Sequence, residues 1–133
     1  MSAATAPEET GHQFRIKRVY APADKADGLR VLVDRLWPRG IAKKKARIDL
    51  WLKDISPSDA LRQRFHAKPA EWVAFRSAYA AELKQEPAQS AIQELRRSLR
   101  LGPVTLLYAA RDETHNNAVA LKMWLARKER GHR

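Results

Sequence analysis

The sequence predicts an α/β protein whose small, mostly parallel β-sheet of about three to four strands is covered by helices on both faces. Two observations support this class. The stretches "LRVLVDRL" and "VTLLYAA" are short, nearly continuous aliphatic runs, which is typical of interior strands with both faces buried. Segments with helical periodicity lie between and after them, and such strands need helices on both sides of the sheet.

A single domain is expected over residues 14–130, because 133 residues suffice for one compact core. Residues 1–13 are predicted to form a flexible tail, since "MSAATAPEETGHQ" lacks the basic start and apolar stretch of a secretory signal. The absence of cysteine excludes disulfides, thiolate metal sites and a cysteine nucleophile. No apolar run reaches the roughly 18 residues of a membrane helix, so we expect a cytoplasmic protein without membrane contact.

The strand predictions depend on residue alternation and on chain-breaking residues. "FRIKRVY" alternates apolar and basic residues and predicts a half-buried first strand. "LRVLVDRL" predicts the second strand, which ends where Pro38 and Gly40 break the chain. "IAKKKARIDLWLKD" favours a loop with at most a short ordered piece, because Trp51 interrupts its alternation.

The helix predictions depend on caps and on apolar stripes. The first helix begins with Ser56 as N-cap and Pro57 at its first position. The last helix has Asp112 or Thr114 as its N-cap. Residues at helical spacing are predicted to face the core: Trp72, Phe75, Tyr79 and Leu83 in the second helix, Ala88, Ile92, Leu95 and Leu99 in the third, and Ala118, Leu121 and Leu125 in the last.

Polar and charged side chains follow each predicted strand. In parallel α/β folds ligands bind beyond the carboxyl ends of the strands, so these side chains are expected to share one edge of the sheet. They are Arg18 and Tyr20 after the first strand, Asp34, Arg35, Trp37 and Arg39 after the second, and Tyr108, Arg111, Asp112 and His115 after the last. The sequence therefore predicts a binding site at this edge.

The net charge of +11 favours anionic partners. We expect a phosphorylated or otherwise anionic small molecule, with nucleic acid as the alternative partner. The basic stretches 43–47 and 96–100 would supply a nucleic-acid surface, although no helix-turn-helix is recognisable. For the run Lys43–Lys45, a solvated loop that only aids solubility is the competing interpretation.

Arginine side chains suit an oxyanion site. Arg35 and Arg39 flank a sharp turn, and a guanidinium group binds phosphate or carboxylate through two parallel N–H bonds. A helix start in "DETHNN" would add free backbone N–H groups. The alternative is a structural network in which these arginines pair with Asp34 and Asp112.

Two residues are candidates for acid–base chemistry, and the sequence leaves open whether the protein is an enzyme. His115 is expected to be neutral, because a helix N-terminus and nearby cations disfavour its protonated form. Asp34 is the weaker candidate, because a neighbouring arginine would lower its pKa. A structural role is the alternative for His115, and Trp37 is expected either to stack on a ligand or to pack under a helix. No metal site is predicted and no cofactor is identified.

Three stretches resemble the YeaO-like branch of the bacterial family DUF 488: "VDRLWPRG", "WLKDISPSDALRQRF" and "LLYAARDETHNNAVAL". The resemblance runs from about Phe14 to about Arg127, implies a small cytoplasmic α/β protein, and assigns no reaction to it. Matching positions are Arg18, Tyr20, Asp34, Arg35, Trp37, Pro38, Arg39, Gly40, Trp51, Tyr108, Asp112, His115 and Asn116, so Asn116 joins the candidate ligand-binding residues.

Another branch of that family carries a Cys-His-Arg run, which falls on Asn116, Asn117 and Ala118 of this chain. These three side chains lack a thiol, an imidazole and a guanidinium group. Any thiol-based or arginine-based chemistry of that branch therefore does not carry over to this sequence.

Overall fold

The computed structural model describes residues 13–131, so the predicted tail lies outside the described residues apart from Gln13. The strands are β1 (Arg15–Arg18), β2 (Leu29–Leu32), β3 (Leu50–Trp51) and β4 (Val104–Tyr108). The helices are α1 (Asp59–Ala67), α2 (Trp72–Leu83), α3 (Ala88–Leu101) and α4 (Asn117–Gly131). Three single 3₁₀ turns lie in the connections, at Lys25–Asp27, Lys43–Lys45 and Lys53–Ile55.

The strands form one parallel sheet in the order β1-β4-β2-β3. Leu106 of β4 pairs with Ile16 on one side and with Val31 on the other, which places β4 and β2 in the interior of the sheet. The prediction of a small parallel α/β fold is confirmed. The short ordered piece expected in the basic segment is β3, whose Leu50 pairs with Val31 at the edge of the sheet.

One face of the sheet, which we call the helix face, carries the main core. Side chains alternate along a strand, so Val31, Val33 and Leu106 share this face and pack with buried residues of α2, α3 and α4. The predicted core stripes are confirmed, with Trp72 partly buried at the rim of the core. Tyr79 is 1% exposed, and its hydroxyl donates a 2.6 Å hydrogen bond to the carbonyl oxygen of Ile55.

The opposite face, which we call the loop face, is covered by connecting segments. Val19, Leu32 and Leu107 form a small apolar cluster, against which side chains of the segment 37–48 pack. The other positions on this face include the polar Arg30, whose guanidinium group pairs with buried Asp27. The strands are two to five residues long and offer few apolar positions here, so connecting loops cover a face for which helices were predicted.

Two predicted N-caps are wrong. Helix α1 begins after Ser58, whose hydroxyl oxygen accepts a 3.2 Å hydrogen bond from the Leu61 amide. Ser56 lies at the end of the preceding 3₁₀ turn instead, and its hydroxyl donates to the carbonyl oxygen of Lys53. Helix α4 begins after Asn116, whose side-chain oxygen accepts a hydrogen bond from the Val119 amide at 2.9 Å. In both places a turn that the sequence pattern did not reveal delays the start of the helix.

Gly28 connects the first 3₁₀ turn to β2 with φ at +63°. A Cβ atom at this position would lie 2.2 Å from the carbonyl oxygen of Pro103, which accepts the Leu29 amide at 2.9 Å. We expect Gly28→Ala to lower the free energy of unfolding by about 1 to 3 kcal/mol, as measured by urea denaturation. Gly102→Ala is the control, since its Cβ would meet no atom within 4 Å, and an equal effect of both changes would contradict this account.

No helix between residues 13 and 131 combines the length and the apolar character that crossing a membrane requires.

Candidate functional site

A cleft with a volume of about 1010 Å³ opens at the carboxyl edge of the sheet. Residues that follow β1, β2 and β4 line it, and α1 with the segment before it completes the wall. The structure therefore brings together most of the side chains that the sequence assigned to this edge. Ten of the eleven residues expected at this edge line the cleft: Arg18, Tyr20, Asp34, Arg35, Trp37, Arg39, Arg111, Asp112, His115 and Asn116.

Tyr108 is the candidate that does not line the cleft. It is the last residue of β4, and the alternation of that strand places its side chain in the core of the helix face, where it is 3% exposed. Burial raises the pKa of its hydroxyl above the ordinary value. The geometry thus gives Tyr108 a packing role.

Four further lining residues come from the region of α1, namely Pro57, Arg62, Phe65 and His66. They were not predicted from the sequence, because they follow no strand. The sequence offered one signal for them. The helix α1 follows the predicted second strand along the chain, and ligands of this class of fold bind where strands end. Their presence places a helix surface opposite the strand-end loops.

Five arginines line the cleft, against the two aspartates Asp34 and Asp112. Neither aspartate forms an ion pair with any of these arginines. The single arginine of the cleft with an ion pair is Arg62, which contacts Asp59 at 2.7 Å, so far as the described residues show. The structural network that was the alternative to an anion site is therefore not formed.

The arginines differ in how they are held. Arg18 donates from Nε to the carbonyl oxygen of Ala110 at 2.9 Å, and Arg35 donates from Nε to the carbonyl oxygen of Pro57 at 2.9 Å. Within the described part of the chain, the guanidinium groups of Arg39 and Arg111 make no hydrogen bond or ion pair. Two arginines are thus anchored at Nε, and two more are without a protein partner.

Asp34 joins the ends of three elements. Its Oδ2 accepts the Ala109 amide at 2.9 Å, and its Oδ1 accepts the side-chain amide of Asn117 at 3.0 Å. Its backbone carbonyl oxygen accepts the indole N–H of Trp51 at 2.7 Å.

Burial raises the pKa of Asp34. The hydrogen bonds to its carboxylate and the charge of Arg62 lower this pKa, but burial has the larger effect. The expected net lowering of this pKa is wrong, because burial outweighs these hydrogen bonds and Arg62, and no arginine forms an ion pair with the carboxylate.

The two asparagines at the start of α4 serve the fold. Asn116 is 1% exposed, donates to the carbonyl oxygen of Asp112 and caps the helix, so both ends of its amide group are engaged. Asn117 donates to Asp34 and also to the carbonyl oxygen of Val33 at 3.1 Å. The role of Asn117 was not predictable from the sequence, because its partners lie far away along the chain.

Asp112 closes the turn before α4. Its Oδ1 accepts the amides of Thr114 and His115, each at 2.9 Å, and these bonds lower its pKa. The prediction of free amides in "DETHNN" is wrong for these two groups, because the chain's own carboxylate binds them. The site for an anion must therefore depend on the arginines.

His115 has an exposed side chain that lies on the indole ring of Trp72. The ring centroids are 4.6 Å apart and the planes differ by 13°. Within residues 13–131, no hydrogen-bonding group holds the imidazole nitrogens. A general base is normally oriented by a hydrogen-bonded partner, so the stack on Trp72 is the contact that positions this histidine.

Trp37 packs on the loop face as well as bordering the cleft. Its indole N–H donates to the carbonyl oxygen of Ile41 at 2.6 Å, and its ring meets that of Trp51 edge to face at 5.4 Å. The packing interpretation therefore accounts for its contacts. Among residues 13–131, no three acidic or histidine side chains come close enough together to hold a metal ion.

The fold and this edge define a class, namely small parallel α/β proteins with an arginine-lined cleft where the strands end. Residues 13–132 match the family model described as "Inactive DUF488-N3 subclade". The chain belongs to the DUF488 family, and the resemblance predicted from its motifs is confirmed.

Relatives of this chain occur in bacteria of the genera Escherichia and Mycobacterium. It is 46% identical over 112 residues to "Uncharacterized protein YeaO" of Escherichia coli K12, a match that covers 84% of this chain and 96% of that protein. Uncharacterized proteins of Mycobacterium bovis and Mycobacterium tuberculosis are each 40% identical over 113 residues, covering 85% of this chain and 93% of theirs. No solved structure matches the chain.

Proposed function

We propose that this protein binds a small phosphorylated or otherwise anionic molecule in the carboxyl-edge cleft and does not transform it. The proposal depends on one observation, the five arginines that line the cleft. The two aspartates of the cleft already accept hydrogen bonds from backbone amides of the protein. Guanidinium groups bind phosphate and carboxylate through paired N–H bonds. The volume of about 1010 Å³ suits a small molecule, at the upper end of the roughly 300–1,000 Å³ usual for such sites.

The hydrogen-bonding state of the arginines supports an anionic ligand. Arg18 and Arg35 use Nε for backbone carbonyl groups, which holds their side chains and leaves terminal N–H groups for a ligand. The guanidinium groups of Arg39 and Arg111 have no hydrogen-bonding or ion-pair partner among residues 13–131. Several donors of one charge around a concave surface concentrate anions there.

The contacts of Asp34 and His115 favour a binding function over an enzymatic one. Both carboxylate oxygens of Asp34 accept hydrogen bonds that join β2, β4 and α4, so this group is committed to the fold. His115 is the remaining acid–base candidate, and in the described structure its imidazole has no hydrogen-bonded carboxylate to orient it. The word "Inactive" in the description of the matching subclade agrees with this choice.

The nucleic-acid alternative has weaker support. The turn Lys43–Lys45 belongs to the segment over the loop face, whereas α3, with Arg97 and Arg100, packs on the helix face. The two basic stretches thus lie on different sides of the sheet and do not join into one surface. Short duplex DNA that binds at low salt and dissociates at high salt, with no small-anion binding, would favour this alternative.

Arg39→Ala tests the proposal. We expect it to weaken the binding of inorganic pyrophosphate, measured by isothermal titration calorimetry, by about tenfold to a hundredfold, because a charged hydrogen bond contributes about 1.5 to 3 kcal/mol. The melting temperature should stay unchanged, since the Arg39 side chain is exposed and has no described partner.

Arg97→Ala is the matched control, because Arg97 is exposed on α3, away from the cleft lining. It should leave pyrophosphate binding as in the wild type. Equal binding by Arg39→Ala and the wild type would contradict the site. A wild-type protein that binds none of phosphate, pyrophosphate, a hexose phosphate and a dicarboxylate would contradict the function.

A further inference from the structure

We propose that the anionic ligand is a nucleotide, whose base lies against the stacked rings of His115 and Trp72 while its phosphate contacts the arginines. This inference rests on the proposed function and names its ligand class. It starts from the aromatic rings of the cleft, which a bare oxyanion would leave unused.

The aromatic wall is formed by four rings. His115, Phe65 and Phe75 line the cleft, and Trp72, which is not among the lining residues, contacts all three. The rings of Trp72 and Phe75 are 5.9 Å apart with planes at 22°, and those of Phe65 and Phe75 are 4.4 Å apart with planes at 20°. The rings of Phe65 and Trp72 are 5.7 Å apart with planes at 41°, so these three rings form a compact cluster, and His115 stacks on its Trp72 ring.

His115 is the exposed residue of this aromatic cluster. One face of its imidazole is covered by Trp72 at 4.6 Å, while the residue is exposed and borders the cleft. Its backbone is held by the hydrogen bond from its amide to Asp112 at 2.9 Å. The uncovered side of the ring is thus available to a planar group, and the order of the backbone reduces the entropy lost on binding.

Cationic and aromatic residues of the cleft lining lie close together along the chain. Arg111 and His115 lie on the same loop after β4, and Arg62 and Phe65 lie three residues apart on α1, which places them on one side of that helix. A ligand in this cleft therefore meets guanidinium groups and ring faces together. A nucleotide combines a phosphate with a planar base, whereas a sugar phosphate has no aromatic ring.

The test compares adenosine monophosphate with ribose 5-phosphate, which differ by the base. By isothermal titration calorimetry on the full chain, we expect the nucleotide to bind about tenfold more tightly, at the low end of what base–aromatic stacking contributes. His115→Ala should abolish this difference and leave the affinity for ribose 5-phosphate unchanged. His115→Phe, which keeps a planar ring and removes the nitrogens, should preserve it.

The wild-type comparison needs no variant to fold, so it decides the inference by itself. Equal affinities for the two ligands would overturn the nucleotide assignment and leave the proposed function standing. If neither ligand binds, the nucleotide assignment is overturned. If phosphate, pyrophosphate, the hexose phosphate and the dicarboxylate also fail to bind, the proposed function is overturned as well. Tighter binding of a single-stranded decanucleotide than of the mononucleotide would overturn a free nucleotide as the ligand.

Discussion

Asp27→Ala is expected to lower the free energy of unfolding by about 3 to 5 kcal/mol, the usual loss when one partner of a buried ion pair is removed. Asp27 is 4% exposed, and its carboxylate pairs with Arg30 and, at 2.8 Å, with Lys17. The Arg30 side chain is 7% exposed, so the substitution would leave a buried guanidinium group without its counter-charge. Urea denaturation measures the loss, and the melting temperature should fall by more than about 10 °C.

Asp59→Ala is the matched control. Asp59 pairs with Arg62 at the same i,i+3 spacing, but the Asp59 side chain is 60% exposed. Exposed ion pairs contribute about 0 to 1 kcal/mol, so burial is the variable that separates the two substitutions. If Asp27→Ala were no more damaging than Asp59→Ala, the claim that the buried pair stabilises the loop face would be wrong.

The contribution of Asp27 should depend on pH. Burial raises its pKa, but hydrogen bonds from Lys17, from the Asp24 amide and from Arg30 outweigh burial and hold the pKa below its ordinary value of 3.8. The unfolded chain therefore takes up the proton first as pH falls, which favours unfolding. We expect the stability difference between the wild type and Asp27→Asn to shrink as pH is lowered below about 4.

Asp34→Ala is expected to lower the free energy of unfolding by about 2 to 4 kcal/mol. The change removes the acceptor of the Ala109 amide and of one N–H of the Asn117 side chain, whose other N–H still has the Val33 carbonyl oxygen. An unsatisfied donor removed from water costs about 1 to 3 kcal/mol, and both of these donors are partly buried. Urea denaturation followed by tryptophan fluorescence measures the loss. Asp34→Asn should lose about half as much, since the amide keeps one acceptor oxygen.

Asp54→Ala provides the comparison for Asp34, because Asp54 is exposed in a 3₁₀ turn. It should change stability by no more than about 0.5 kcal/mol.

The pH effect at Asp34 has the opposite sign to that at Asp27, because burial raises its pKa and the folded state retains the proton longer. Wild-type stability relative to Asp34→Asn should fall as pH rises from 3.8 through the raised pKa, and a rise would refute this account.

The sequence by itself determined the elements whose signal is local. Aliphatic runs identified β2 and β4, and helical spacing identified the buried faces of α2, α3 and α4, because burial repeats with the period of each element. The carboxyl-edge cleft was predictable for a related reason, since residues that follow parallel strands meet at one edge. The four arginines of the cleft that follow strands were therefore found without knowledge of the strand order, whereas Arg62 was not.

The tertiary structure decided which side chains meet across that edge. Asn117 contacts Asp34 across 83 positions of sequence, and Trp72 meets His115 although they belong to different helical regions. Such contacts depend on the register of the strands and on how the loops pack over the loop face, which has few apolar positions. Neither property leaves a periodic pattern in the sequence. Hydrophobic periodicity reports which face of an element is buried, whereas the partner of a polar or aromatic side chain is set only when the elements pack.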